Sequence, residues 1–179
     1  MQNNTSKIRW ITTTAIFIAL LVALQSVTKP LGQYVTGSMV NMVLIMAVLC
    51  GGFASGITVA LLSPVFAFIL GIGPAFMQLV PFIMAGNLVL VLVWGFVCKN
   101  GNSFKNMAIS LVCGAVLKFI TLYVGIVKIA VPNILSLPEK AAAMVSASFS
   151  YPQLITACIG GLIAMLVSPA VIKAIKKYG

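Results

Sequence analysis

Residues 111–128 read LVCGAVLKFITLYVGIVK, an apolar run with one lysine at its middle and another at its end. An ammonium group in the hydrocarbon of a bilayer costs about 3 kcal/mol or more. Such a residue normally faces a protein interior or a watery cavity, so Lys118 is a candidate for a functional site. Residues at roughly helical spacing are predicted to share one broad face, namely Lys118, Thr121, Gly125 and Lys128. We predict that this face lines a pocket for a small molecule.

The composition is that of a membrane protein. Of the 179 residues, 61% are hydrophobic and 7% are charged, and the mean hydropathy is +1.18. A soluble domain has about 25% charged residues. The apolar runs are also too long and too numerous for a soluble core. We therefore predict an all-α integral membrane protein in which residues 1–179 form a single domain in the lipid bilayer.

The charged residues are few and mostly basic. Eleven lysines and arginines stand against a single acid, Glu139, and histidine is absent, which gives a net charge of +10. Most acid–base, metal and triad chemistry needs histidines or several carboxylates. We therefore expect no enzyme activity, no catalytic residue, no metal site and no cofactor. A basic balance can indicate nucleic-acid binding, but these charges are interpreted as marking the cytoplasmic ends of helices, so no nucleic-acid partner is expected.

Six apolar segments are predicted to form transmembrane helices. The first is interpreted as a retained helix rather than a cleaved signal peptide, because its apolar run is long and no convincing cleavage site follows it. A loop is predicted over 28–37, where a proline and two glycines interrupt the apolar pattern. Residues 136–143 indicate a loop or a short surface helix. The predicted helices cover residues 10–27, 38–50, 53–70, 76–97, 106–131 and 151–172.

The distribution of basic residues predicts the orientation of the bundle. Six helices place both termini on one side, which carries seven basic residues against two on the other. Cytoplasmic loops carry the excess of lysine and arginine, so both termini are predicted to be cytoplasmic. The connections 28–37, 71–75 and 132–150 are then external. The seven basic residues are Lys7, Arg9, Lys99, Lys105, Lys173, Lys176 and Lys177.

This orientation predicts a binding pocket that opens outward. Lys118 lies near the middle of the membrane, and Lys128 lies near its outer surface. Two ammonium groups would attract a negatively charged solute, because charges interact more strongly in a low-dielectric site than in water. In the alternative, Lys118 only hydrogen-bonds neighbouring carbonyls or extends to an interface. The predicted substrate-binding residues are Gln33, Tyr34, Asn41, Gln78, Lys118, Thr121, Lys128, Tyr151 and Gln153.

Alanines recur every four residues along the first helix, at Ala15, Ala19 and Ala23. Small residues at this spacing lie on one face and let another helix approach closely. The partner helix belongs either to this chain or to a separate membrane subunit, and the sequence leaves both interpretations open.

The chain has no evident energy source for transport. It has no phosphate-binding GxxxxGK[ST] loop, and its single acid lies in a predicted external connection. The sequence also combines several features that are considered together: the six predicted helices in 179 residues, the basic N-terminus, the alanine pattern, and the segments GAVLKF (114–119) and YPQLITA (151–157). In this combination, nearly the whole chain resembles the substrate-binding S components of energy-coupling factor (ECF) transporters.

The resemblance implies a subunit of a bacterial plasma-membrane importer, with a transmembrane scaffold subunit and two cytoplasmic ATPases as partners. It implies that a vitamin or related micronutrient binds on the outer side and is released inward when the subunit topples in the membrane. It also implies that the alanines dock to the scaffold and that the connection 28–37 helps gate the site. The solute contacts that it implies on the last three helices are Gln78, Lys118, Lys128 and Gln153. The alternatives are a structural or assembly subunit of a membrane complex, a carrier that needs no ATPase, and a membrane-embedded enzyme that would rely on Lys118, Tyr123 or a cysteine.

Overall fold

The computed structural model describes residues 2–178, which are largely helical and contain no strand, so the all-α prediction is confirmed. A π-helix over Tyr123–Ala130 continues the fifth helix, and one α-helical turn over Val131–Asn133 ends it. Short 3-10 turns precede the second and fourth helices, at Lys29–Leu31 and Met77–Leu79. The helices are α1 (Gln2–Thr28), α2 (Gln33–Gly51), α3 (Phe53–Ile69), α4 (Val80–Val97), α5 (Phe104–Leu122), α6 (Glu139–Ser148) and α7 (Tyr151–Tyr178).

Several helical segments have the length and composition of membrane spans. In a bilayer the backbone polar groups must be satisfied within the segment, which an α-helix achieves. α3 is also apolar, but its 17 residues are at the short end of the range for a span. The described chain is therefore compatible with a multi-pass membrane protein. The five segments long and apolar enough to cross a membrane are Lys7–Leu31, Gln33–Gly51, Met77–Val97, Phe104–Asn133 and Glu139–Ile175.

The connection between α1 and α2 is shorter than predicted, and the loop predicted over 28–37 is wrong. Lys29–Leu31 forms a 3-10 turn with Pro30 near its N-terminus, and Gly32 follows with a φ of 89°. Glycine adopts a positive φ at little cost, so a single residue is enough to redirect the chain. α2 therefore begins at Gln33, earlier than the sequence indicates.

The other boundaries differ from the predicted ones by up to eight residues, the largest difference being the start of α1 at Gln2 instead of residue 10. α4 starts at Val80, because Met77–Leu79 forms a 3-10 turn before it. α5 starts at Phe104, where the Asn106 N–H donates to the Ser103 hydroxyl at 3.2 Å and caps the helix. The short surface segment before the last helix is helical, as α6, and α7 extends beyond its predicted end.

α2 is the central helix of the bundle. It packs against α1, α3, α4 and α7, and its residues 43–48 are all buried. A helix that is apolar on every side suits this position. α7 approaches α2 closely at Gly160, where a Cβ atom would lie 2.5 Å from the Ser38 carbonyl oxygen and 2.7 Å from Asn41 Cβ. Because glycine has no Cβ, the two backbones come together at this point.

Eight residues of α5 and its π-helical continuation are buried, namely Met107, Ser110, Gly114, Ala115, Lys118, Leu122, Ile126 and Ala130. From Lys118 onward the buried residues recur every four positions. Beyond Leu122 this spacing follows from the wider π-helical turn, in which each residue advances by less than the about 100° of an α-helix. The predicted face that joined Thr121 and Lys128 to Lys118 is therefore wrong. Thr121 donates its hydroxyl to the Leu117 carbonyl at 2.8 Å, and Lys128 is exposed, with its Nζ 5.5 Å from the centre of the Tyr123 ring.

Candidate functional site

A cavity of about 470 Å³ opens at the end of the bundle where α1 meets α2 and α6 meets α7. This volume lies in the range of pockets that bind small organic molecules. All seven helices and the connection between α3 and α4 contribute residues to its wall. The bundle therefore offers one molecule contacts from every helix at once.

Lys118 reaches this cavity from α5 and is only 3% exposed. Its Nζ donates to Asn41 Oδ1 at 2.6 Å and to Asn87 Oδ1 at 2.7 Å. The two amides project from α2 and α4, and both are buried. Hydrogen bonds from a charged donor are shorter and stronger than those between neutral groups. We call Lys118, Asn41 and Asn87 the lysine–amide cluster.

The chemistry of lysine sets the orientation of both amides. An ammonium group has three donors and no acceptor, so each amide presents its oxygen to Nζ and turns its NH₂ group elsewhere. Asn41 Nδ2 donates to Thr156 Oγ1 at 3.3 Å, and Thr156 Oγ1 donates to the Gln153 carbonyl at 3.2 Å. Asn87 Nδ2 has no acceptor in the described part of the chain. The cluster therefore keeps unused donors at Lys118 and Asn87.

The positive charge of Lys118 has no carboxylate partner. Glu139, the single acid of the sequence, is exposed at the start of α6. Neutral amide oxygens reduce the cost of burying an ammonium group, but they do not cancel its charge. An anion bound beside Lys118 would cancel it.

Side-chain hydrogen bonds to backbone carbonyls frame the mouth of the cavity. The Ser148 carbonyl accepts from Gln33 Nε2 at 2.5 Å and from Gln153 Nε2 at 3.1 Å, which ties α6 to α2 and α7. On the other side, Gln25 Nε2 of α1 donates to the Ile72 carbonyl at 3.2 Å. The mouth is therefore polar and is held by contacts that join separate elements.

The cavity brings together four of the nine substrate-binding residues predicted from the sequence, namely Gln33, Asn41, Lys118 and Gln153. The five that lie outside its lining are Tyr34, Gln78, Thr121, Lys128 and Tyr151. Successive helical residues are about 100° apart, so Gln33 faces the cavity while Tyr34 is 52% exposed. Tyr151 lies two residues before Gln153, is 74% exposed and stacks on Phe119 outside the cavity. Gln78 is exposed in the turn before α4.

Sequence reasoning does not place three of the polar lining residues in the pocket: Gln25, Ser63 and Asn87. An amide in the middle of an apolar helix indicates that Asn87 needs a buried partner, but not which one. Ser63 is 2% exposed, and its hydroxyl has no hydrogen-bond partner among residues 2–178. It precedes Pro64 inside α3, and no pattern in the sequence distinguishes it from other serines.

The alanines of α1 face away from the bundle. Ala15, Ala19 and Ala23 are exposed, whereas Phe17 and Leu21 are buried on the side of α1 that packs against α2 and α3. No helix of the described chain covers the three alanines. The stripe is therefore available to a helix of another subunit.

The ionisable side chains in the cavity lining are Lys118 and Lys29, the second of which is exposed at the mouth. Among residues 2–178, no three His, Cys, Asp or Glu side chains lie together as a metal site would require.

No protein-family model, characterised protein or solved structure matches the chain.

Proposed function

We propose that the chain is the substrate-specificity subunit of an ECF-type importer and binds a negatively charged vitamin or related micronutrient. The observation that carries the proposal is the Lys118 ammonium group, which is 3% exposed, lines a cavity and lacks a carboxylate partner. Burying such a charge is costly, and in membrane proteins it marks functional sites. A bound anion offsets this cost, so the cavity favours anionic solutes over neutral ones.

A binding subunit of this kind depends on other subunits for energy. The sequence has no nucleotide-binding loop, and its single acid is exposed on α6. We therefore assign the energy for transport to a scaffold subunit with two cytoplasmic ATPases. The chain itself binds the solute and passes it on unchanged, without catalysis.

We assign the chain six transmembrane helices, with both termini in the cytoplasm of a bacterial cell. α3 is the sixth span in spite of its 17 residues. The basic residues near the termini and between α4 and α5 support this orientation, because excess lysine and arginine mark the cytoplasmic side. The cavity lining includes residues from 29–37, 72–76 and 144–153, which belong to the opposite end of the bundle. The cavity then opens to the outside, and toppling of the subunit delivers its content inward.

We expect Ala19→Leu to prevent assembly with the scaffold subunit and to leave solute binding unchanged. Ala19 is exposed on the outer face of α1, where a leucine side chain would keep a partner helix from approaching closely. Copurification of the scaffold with the tagged variant measures assembly. Val112→Leu is the matched control, since Val112 is 60% exposed on α5 and gains bulk away from the alanines. Normal copurification of the Ala19 variant would remove the alanines from the docking surface.

The function as a whole is tested by purifying the chain alone and identifying the small molecules that it retains by mass spectrometry. Saturable binding of the identified compound is then measured. We expect an anionic micronutrient, bound once per chain. A structural subunit would show no saturable binding, and a self-sufficient carrier would transport the compound into liposomes without any ATPase. Either result would overturn the proposal.

A further inference from the structure

We infer that the solute is a monocarboxylate with an apolar body, bound with its carboxylate on the lysine–amide cluster. The inference rests on the proposed function and narrows its substrate class. Three features of the cavity support it: the number of buried charges, the number of free donors, and the apolar wall beyond them.

The cavity presents one deep positive charge. Its lining contains Lys118, Lys29 and no acid. Lys29 is exposed at the mouth, where its Nζ donates to the Gly71 carbonyl and water screens its charge. A ligand with a single negative charge therefore makes the deep part of the cavity neutral. A phosphate monoester carries about −1.5 to −2 and would leave a buried excess of negative charge.

The free donors of the lysine–amide cluster match the two oxygens of a carboxylate. Two of the three Nζ hydrogens of Lys118 are used on the amide oxygens, which leaves one for a ligand. Asn87 Nδ2 belongs to the same amide group as the oxygen that lies 2.7 Å from Nζ, so it is a close neighbour of the ammonium group. Each of these donors can bond one carboxylate oxygen. A phosphate has three strong acceptor oxygens, one more than the two free donors of the lysine–amide cluster.

Beyond the cluster, the wall of the cavity is mostly apolar, and the Ser63 hydroxyl, which is unpaired among residues 2–178, is a polar group within it. Leu21, Leu79 and Leu122 line it, and each is at most 2% exposed. Burying apolar surface against such a wall contributes about 25 cal/mol per Å². The amides at the mouth, from Gln25 and Gln33, can receive a polar group at the far end of the molecule. The expected ligand is therefore acidic at one end and apolar in its body.

The test on the wild-type chain uses compound pairs that differ at the acidic group. The pairs are nicotinate and nicotinamide, biotin and biotinamide, lipoate and lipoamide, and pantothenate and pantothenol, with pyridoxal phosphate and pyridoxal for the phosphate. Binding is measured by calorimetry on chain freed of retained molecules, and any retained molecule is added to the set. We expect the tightest binder to be a carboxylate that binds about 100-fold or more tightly than its neutral partner.

The possible failures are distinguishable. Tightest binding by a phosphate ester or by a neutral compound overturns the monocarboxylate inference and leaves the proposed function standing. If the purified chain retains a molecule that has no carboxyl group, the monocarboxylate inference is likewise overturned and the proposed function stands. If the purified chain retains nothing and no compound binds saturably, the proposed function itself falls.

Asn87→Asp tests the charge balance from the side of the protein. The new carboxylate lies beside Lys118 Nζ, neutralises it and removes the free Nδ2 donor. We expect the acid of the best pair to bind about 100-fold or more weakly, while its neutral partner loses less. Asn133→Asp is the matched control, because it makes the same change at an exposed amide outside the cavity. Unchanged affinity for the acid in a folded Asn87 variant would contradict the inference. If the variant does not fold, the compound pairs on the wild-type chain still test the inference.

Discussion

Lys118→Ala is expected to weaken binding of the retained anion by about tenfold or more while leaving the bundle folded. The substitution removes the one deep positive charge of the cavity. It also leaves the oxygens of Asn41 and Asn87 without their donor, which lies at 2.6 and 2.7 Å in the native chain. Oxygens left without a donor destabilise the bundle, but the removal of an uncompensated buried charge offsets part of that cost. The effect on binding should therefore exceed the effect on folding.

Equilibrium binding of the retained compound to the two proteins measures this effect, and thermal unfolding checks the fold. Lys128→Ala is the matched control, because Lys128 follows on the same helical segment but is exposed outside the cavity. We expect its affinity to equal that of the native chain. Equal affinities for all three proteins would exclude Lys118 from the site, and a loss only in the Lys128 variant would show that the site has been placed at the wrong lysine.

Gly160→Ala is expected to destabilise the bundle by about 1–3 kcal/mol and to weaken solute binding as well. Its Cβ would lie 2.5 Å from the Ser38 carbonyl oxygen and 2.7 Å from Asn41 Cβ. A backbone carbonyl cannot rotate away as a side chain can, so α7 must move off α2. That movement separates Thr156 from Asn41 and releases one of the two amides that hold Lys118.

Thermal unfolding in detergent measures the stability difference, and Gly161→Ala provides a control on the same helix. A Cβ at Gly161 meets Leu111 Cδ1, the far end of a flexible side chain that can take another rotamer. The Gly160 variant should therefore unfold at a lower temperature than the Gly161 variant. Equal unfolding temperatures would show that the close approach of α2 and α7 is not what fixes Asn41.

The helices were predictable from the sequence because the physics of the bilayer leaves few alternatives. Long apolar runs must satisfy their backbone groups internally, and the glycines and prolines between them mark the ends. The start of α7 at Tyr151 follows from the Pro152 that comes next in its first turn. The connection 28–37 was less predictable, because polar residues after Gly32 can begin a helix as readily as extend a loop.

The orientation of individual side chains was harder to predict. Nothing in residues 123–130 marks them as π-helical, yet this segment turns Lys128 away from the face that carries Lys118. The lysine–amide cluster joins α5 to residues 77 and 31 positions earlier in the chain. Periodicity describes one helix at a time, so it can identify a buried lysine or a buried asparagine but not the contact between them. The sequence therefore indicates that Lys118 needs partners, and the packing of α2, α4 and α5 supplies Asn41 and Asn87.

A crystal structure of the wild-type chain with its retained molecule would test the central claim most directly. We predict that an acidic group of that molecule lies within hydrogen-bonding distance of Lys118 Nζ, with Asn87 Nδ2 as a second donor. Density for the molecule elsewhere, with Lys118 bonded only to protein groups or extended toward the headgroups, would contradict it.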